Sequence, residues 1–164
     1  RYVFVEDASI EVGRAGTAGA DFCSVVVECF GEALVAVSAS LEVGQGVVCD
    51  GMSTDAPCED GVDRRDAAAA LTDGTRCVAE SAPSDYVSLG LGGGLAVEFA
   101  VDLAGCEVLI EALAGRTDEP YGVYVCATPM ITDETCLLDG EPVAGSHGRG
   151  GSLSVELPLA DERR

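Results

Sequence analysis

The stretch Tyr86-Val-Ser-Leu-Gly-Leu-Gly-Gly-Gly-Leu-Ala-Val-Glu-Phe-Ala-Val-Asp102 decides how the rest of the chain is read. Beyond the glycines, Leu95, Val97, Phe99 and Val101 alternate with Ala96, Glu98, Ala100 and Asp102, the period of a strand with one apolar face. Gly90, Gly92, Gly93 and Gly94 predict a tight bend or a close backbone approach between two short strands, where a Cβ would clash. A glycine loop that cradles phosphate leads into a helix. Here the following residues alternate as a strand, which argues against a nucleotide loop.

Composition agrees with short strands. The 164 residues suit one domain and can bury a sizeable core. There are 21 Gly, four Phe, four Tyr and no Trp, which favours many Val/Leu strands with glycine turns over a helical bundle. The net charge is −20, from 29 acidic residues against 9 basic ones, all arginine. Nucleic acid and anionic membrane surfaces are thereby excluded as expected partners, since both need a basic footprint. No run approaches the ~20 apolar residues of a membrane span. The opening Arg1-Tyr-Val-Phe-Val-Glu-Asp7 is strand-like and has no signal-peptide apolar region, so a secreted protein would be in processed form.

The eight cysteines are Cys23, Cys29, Cys49, Cys58, Cys77, Cys106, Cys126 and Cys136, with no CxxC knuckle and His147 as the sole histidine. An even set without zinc spacing predicts four disulfides in an oxidising, extracellular or cell-surface setting. Cys49 with Cys58, and Cys126 with Cys136, are spaced for local loop closure. Cys23 and Cys29 lie six residues apart on one strand, about 20 Å at strand rise, too far to bond each other. Each is expected to join Cys77 or Cys106.

Taken in order, residues 2–7 read as a strand, then residues 22–30. In the latter Cys23, Val25, Val27 and Cys29 share one face, and Phe22, Ser24, Val26, Glu28 and Phe30 the other. Apolar residues on both faces place this strand inside a sandwich. Residues 33–43 read as a third strand, with Val35, Val37, Ala39, Leu41 and Val43 opposite Ser38, Ser40 and Glu42, and with a helix as the alternative its alanines allow. Asp66-Ala-Ala-Ala-Ala-Leu71 is the one expected helical turn, capped by Asp66 and ended by Gly74. Strands follow at residues 107–113 and 121–127. The last, at residues 152–159, points Leu153, Val155, Leu157 and Leu159 inward. About eight strands predict an all-β, disulfide-stapled β-sandwich or jelly roll in a single domain spanning residues 1–164.

The run Asp85-Tyr-Val-Ser-Leu-Gly-Leu-Gly-Gly-Gly-Leu-Ala-Val-Glu-Phe99 resembles the "YVSLG-GGSLTLEF" strand pair of bacterial secreted and cell-surface β-sandwich domains of the discoidin or galactose-binding jelly-roll kind. Residues 67–74 resemble the family's "AALG-PDG" segment, 107–111 its "LxVxE" strand and 121–127 its "YxVYVS" strand. The closing "YVRIVDAS" and "G-DLDAVEV" strands are matched at the beginning of this chain, by residues 2–9 and 19–28. The resemblance covers most of residues 1–28 and 66–159, in permuted order.

Several expectations follow from that resemblance. Residues 1–31 supply the family's C-terminal strands to the remainder, residues 33–164, within one subunit or to a neighbour, and residues 2–7 pair with residues 153–159. Tyr2, Val3, Phe4, Val5, Leu153, Val155 and Leu157 are then assembly residues. Exchange between subunits would build a head-to-tail fibre, and one period of a tandem array is the third alternative. Jelly-roll relatives hold a structural Ca²⁺. Asp7 and Asp21 match acidic family positions and Glu107 stands where the family has Asp, although the family's second "DLD" aspartate is Cys23 here.

Catalysis is hard to assemble: there is no Lys, no GxSxG elbow, and His147 beside Ser146 lies in a glycine turn. The first expectation is therefore a non-enzymatic extracellular structural or adhesive subunit that self-associates head to tail. The alternative is a cell-surface module binding carbohydrate or protein, as the galactose-binding-like resemblance implies.

Overall fold

The computed structural model describes residues 1–9, 19–44, 48–49, 52–53, 67, 86–113, 120–131, 134–146 and 151–159. The fold is an all-β sandwich of two antiparallel sheets. Its strands are β1 (Tyr2–Asp7), β2 (Asp21–Cys29), β3 (Glu32–Leu34), β4 (Ala36–Glu42), β5 (Val48–Cys49), β6 (Met52–Ser53), β7 (Val87–Ser88), β8 (Gly94–Phe99), β9 (Glu107–Ala112), β10 (Tyr121–Cys126), β11 (Ala144–Ser146) and β12 (Gly151–Glu156). Sheet A has the order β11-β10-β1-β8-β4. Sheet B has the order β12-β9-β2-β3, with β7 also on β2, and β5 pairs β6 in a separate ribbon. The helical turn expected over residues 66–71 lies outside the described residues except for Ala67.

The two-residue alternation sorts each strand between core and outside. Sheet A contributes Val3, Val5, Leu95, Val97, Phe99, Tyr121, Val123 and Val125 to one core, and sheet B contributes Phe22, Val25, Val27, Val108, Ile110 and Ala112. Phe22 meets Tyr121 edge-on across the layers, 4.9 Å between centroids. Phe22 departs from strict alternation. A bulge between Phe22 and Ser24 inserts one residue and swings Phe22 onto the face that carries Val25 and Val27.

The glycine hinge carries the chain from sheet B to sheet A. Around it three segments touch backbone to backbone. A Cβ on Gly93 would lie 1.9 Å from the Leu89 carbonyl oxygen, so no other residue fits there. Buried Asp7 ties the crossing together: its carboxylate accepts from the N–H groups of Ala20 (3.0 Å), Gly92 (3.0 Å) and Ser9 (3.1 Å) and from the Ser9 hydroxyl (2.8 Å). The Asp7 N–H donates to the Gly93 carbonyl, 2.9 Å away. A carboxylate so ringed by donors is a structural knot.

Four expectations change. The segment over residues 33–43 is two strands, because the chain leaves sheet B after Leu34 and enters sheet A at Ala36. Val35 at the crossing is 88% exposed and Val37, in a bulge against β8, is 60% exposed. Leu159 lies beyond β12 and Val101 beyond β8, and both are solvent-exposed rather than inward. Phe30 is not the last residue of a strand but sits in the β2–β3 turn. Finally, residues 2–7 do not pair with residues 153–159. β1 lies between β8 and β10 of its own chain, while β12 pairs β9 in the opposite sheet. The strictly alternating Val3 and Val5 fill the centre of sheet A, and a strand buried on both edges has no edge left for β12. Both β1 and β2 thus pair with strands of the same chain.

Candidate binding face on the outer side of sheet A

The outward positions of β1 are Tyr2, Phe4 and Glu6, and the register decides what stands beside them. Phe4 is opposite Tyr124 on β10 and Ala96 on β8; Tyr2 is opposite Glu98 on β8, which is itself opposite Ser38 on β4. Three of the eight aromatic residues therefore gather, half-buried, on one outer sheet face. The Tyr2 and Phe4 centroids are 6.3 Å apart. Their planes are inclined to each other by 31°. A Cβ on Gly122 would press within 3.1 Å of the Tyr124 ring, so glycine there lets that ring lie along the sheet.

Carboxylates hold the rings in place. The Tyr2 hydroxyl donates to Glu98 Oε1 at 3.0 Å, and Glu98 also accepts from Arg1 (2.5 Å) and from the Ser38 hydroxyl (3.1 Å). Arg1 lies over the Tyr2 ring, 5.7 Å from its centroid. The Arg1 guanidinium, then the Tyr2 and Ser38 hydroxyls, hold the Glu98 carboxyl below its ordinary range. Burial, then the bond to Glu98, raises the Tyr2 phenol; burial, then neighbouring Glu6, raises Tyr124. The result is an aromatic patch whose Tyr2 ring is held by Glu98 and which is edged by hydrogen-bond acceptors.

A concavity of about 770 Å³ lies on the outer face of sheet B. Val26 and Leu109 form its floor, with Ser24, Glu111, Ser152 and Ser154 around them. Its described lining contains no aromatic ring.

The expected assembly residues divide. Tyr2 and Phe4 belong to the aromatic face, Val3 and Val5 are core, and Leu153, Val155 and Leu157 pack from the far edge of sheet B. The calcium trio is not assembled either. Asp7 is the knot at the hinge, and Asp21 starts β2 at that same end. Glu107 stands opposite Glu28 near the other end of β2, seven residues from Asp21 or about 23 Å at strand rise, and accepts from the Ser154 hydroxyl. Among the described residues no group of three His, Cys, Asp or Glu is placed to hold a metal ion.

Cys29 is bonded to Cys106 and Cys126 to Cys136. Cys23 is also disulfide-bonded. The side chains of Cys49, Cys58 and Cys77 lie outside the described residues, as does His147. Two disulfides are compatible with an oxidising compartment. Among the described residues no helix is long and apolar enough to cross a membrane.

The missed residue is Tyr124. Its alternation with Tyr121, Val123 and Val125 marked it as outward, but only strand pairing sets it beside Phe4. No protein-family model, curated protein or solved structure matches this chain.

Proposed function

We propose that the protein is a non-catalytic, extracellular carbohydrate-binding module whose platform is Tyr2, Phe4 and Tyr124. The observation that carries this is the gathering of three half-buried aromatic rings on the neighbouring strands β1 and β10, with the Tyr2 phenol bonded to Glu98 and the Tyr124 phenol beside Glu6. Aromatic faces receive the apolar C–H face of a pyranose ring, and the flanking carboxylates and Ser38 accept from or donate to its hydroxyls. The net charge of −20 selects against anionic sugars and favours neutral ones. The resemblance of the hinge strands to galactose-binding-like surface domains points to the same ligand class.

A glycan array probed with the disulfide-intact chain is the direct test, followed by calorimetry on any saccharide retained. Phe4→Ala and Tyr124→Ala should each weaken binding at least about tenfold, about 1.4 kcal/mol. Unchanged affinity in both variants, with thermal melts confirming that they fold, would reject the platform.

A second reading, head-to-tail self-assembly, is favoured by the exposed Val35 and Val37 at the open β3–β4 edge. Filaments seen by negative-stain microscopy would support it, whereas a glycan-binding monomer supports the first reading.

A further inference from the structure

The β2–β3 hairpin turns through Phe30 and Gly31, with φ of 56° and 82°. A two-residue turn with both φ positive is normally filled by Asn-Gly or Asp-Gly, because a bulky side chain is strained in the left-handed region. Phe30 occupies it nonetheless, 93% exposed, contributing almost no burial to the fold. The turn is held rigidly by the Cys29–Cys106 disulfide directly behind it. Beside the ring lies an open groove of about 510 Å³, to which Leu159, 57% exposed, adds a second apolar surface.

The groove wall is strongly acidic. Glu28, Glu107 and Glu156 stand directly opposite one another across β2, β9 and β12. Like charges in that relation repel, and the only described side-chain hydrogen bond to the three is the one Glu107 accepts from Ser154. An apolar knob beside a ladder of three carboxylates matches a segment that is both basic and apolar, by charge complementarity. We infer that this hairpin end is a protein-docking surface: Phe30 anchors an extended partner segment whose Arg or Lys side chains pair with the Glu28–Glu107–Glu156 ladder. The surface is on a different sheet from the aromatic platform and stands independently of it.

The probe is a fluorescein-labelled peptide of alternating Arg and Leu, with a Glu/Leu peptide as control, titrated by polarisation against the disulfide-intact chain. Binding of the Arg/Leu peptide alone is expected, weakening steeply as salt rises. Phe30→Asn should bind at least tenfold more weakly while melting at a higher temperature, since Asn tolerates the left-handed turn. That pairing separates lost docking from lost folding. The triple variant Glu28→Gln, Glu107→Gln, Glu156→Gln should weaken binding at least tenfold and lessen its salt dependence. Equal affinity in Phe30→Asn or in the triple variant would overturn the proposal. So would sedimentation showing that Phe30→Asn converts an oligomer to monomer, because the occupant would then be a second copy.

Discussion

At the scale of single residues, Glu98 organises the aromatic face from its outward, half-buried place on the interior strand β8. It gathers Arg1, Tyr2 and Ser38, and its carboxyl is held below the ordinary range by the first of these. A depressed carboxyl favours the folded arrangement at pH above about 4.3 and loses that contribution as pH falls through the depressed value. Tyr2 and Tyr124 behave oppositely. Their raised phenols favour the folded arrangement below pH ~10, and the contribution fades as pH climbs through the raised values. The face should therefore stay ordered over the whole neutral range. Carboxyl NMR should find Glu98 titrating below the ordinary glutamate range, and Glu98→Gln should shift Tyr2 phenolate formation to lower pH. A Glu98 midpoint within the ordinary range, or an unmoved Tyr2, would contradict this network.

At the scale of elements, the disulfides Cys29–Cys106 and Cys126–Cys136 close loops of very different length. Cys29–Cys106 spans 77 residues and Cys126–Cys136 spans 10. By chain entropy the first removes about 4.5 kcal/mol from the unfolded side and the second about 2.7 kcal/mol. Replacing Cys29 and Cys106 by Ser should thus lower denaturant stability more than replacing Cys126 and Cys136. The reverse order would mean that unfolded-chain entropy does not set their worth. Most strands were legible in the sequence because a period of two survives in β1, β8, β9 and β10. What was not legible came from breaks in that period. The extra residue before Ser24 reverses Phe22, and the crossing at Val35 divides one expected strand between two sheets. Pairing was less legible still. Alternation tells which face Tyr2, Phe4 and Tyr124 take, but β1 and β10 are separated by more than a hundred residues, and no local signal says that they are neighbours. The acidic candidates failed for a related reason: in so acidic a chain Asp7, Asp21 and Glu107 are indistinguishable by type, and only the fold separates the hinge knot from the carboxylate ladder.

At the scale of the whole molecule, the sandwich presents two differently built surfaces. Sheet A shows three clustered aromatic rings bordered by carboxylates; the hairpin end of sheet B shows a strained aromatic tip above an acidic ladder. The ends of the described chain meet at one turn: the Phe99 N–H donates to the Arg1 carbonyl just before it, and the Gly105 N–H to the Pro158 carbonyl at its close. β1 and β2 pair with strands of the same chain, and the exposed faces this leaves carry the proposed account. The most direct measurement of that account is a ¹⁵N and side-chain aromatic NMR titration of the intact chain with the saccharide its array selects. Shifts confined to outward residues of β1, β8 and β10, centred on Phe4 and Tyr124, are predicted. Shifts centred instead on Val26 and Leu109 in the concavity of sheet B would contradict it.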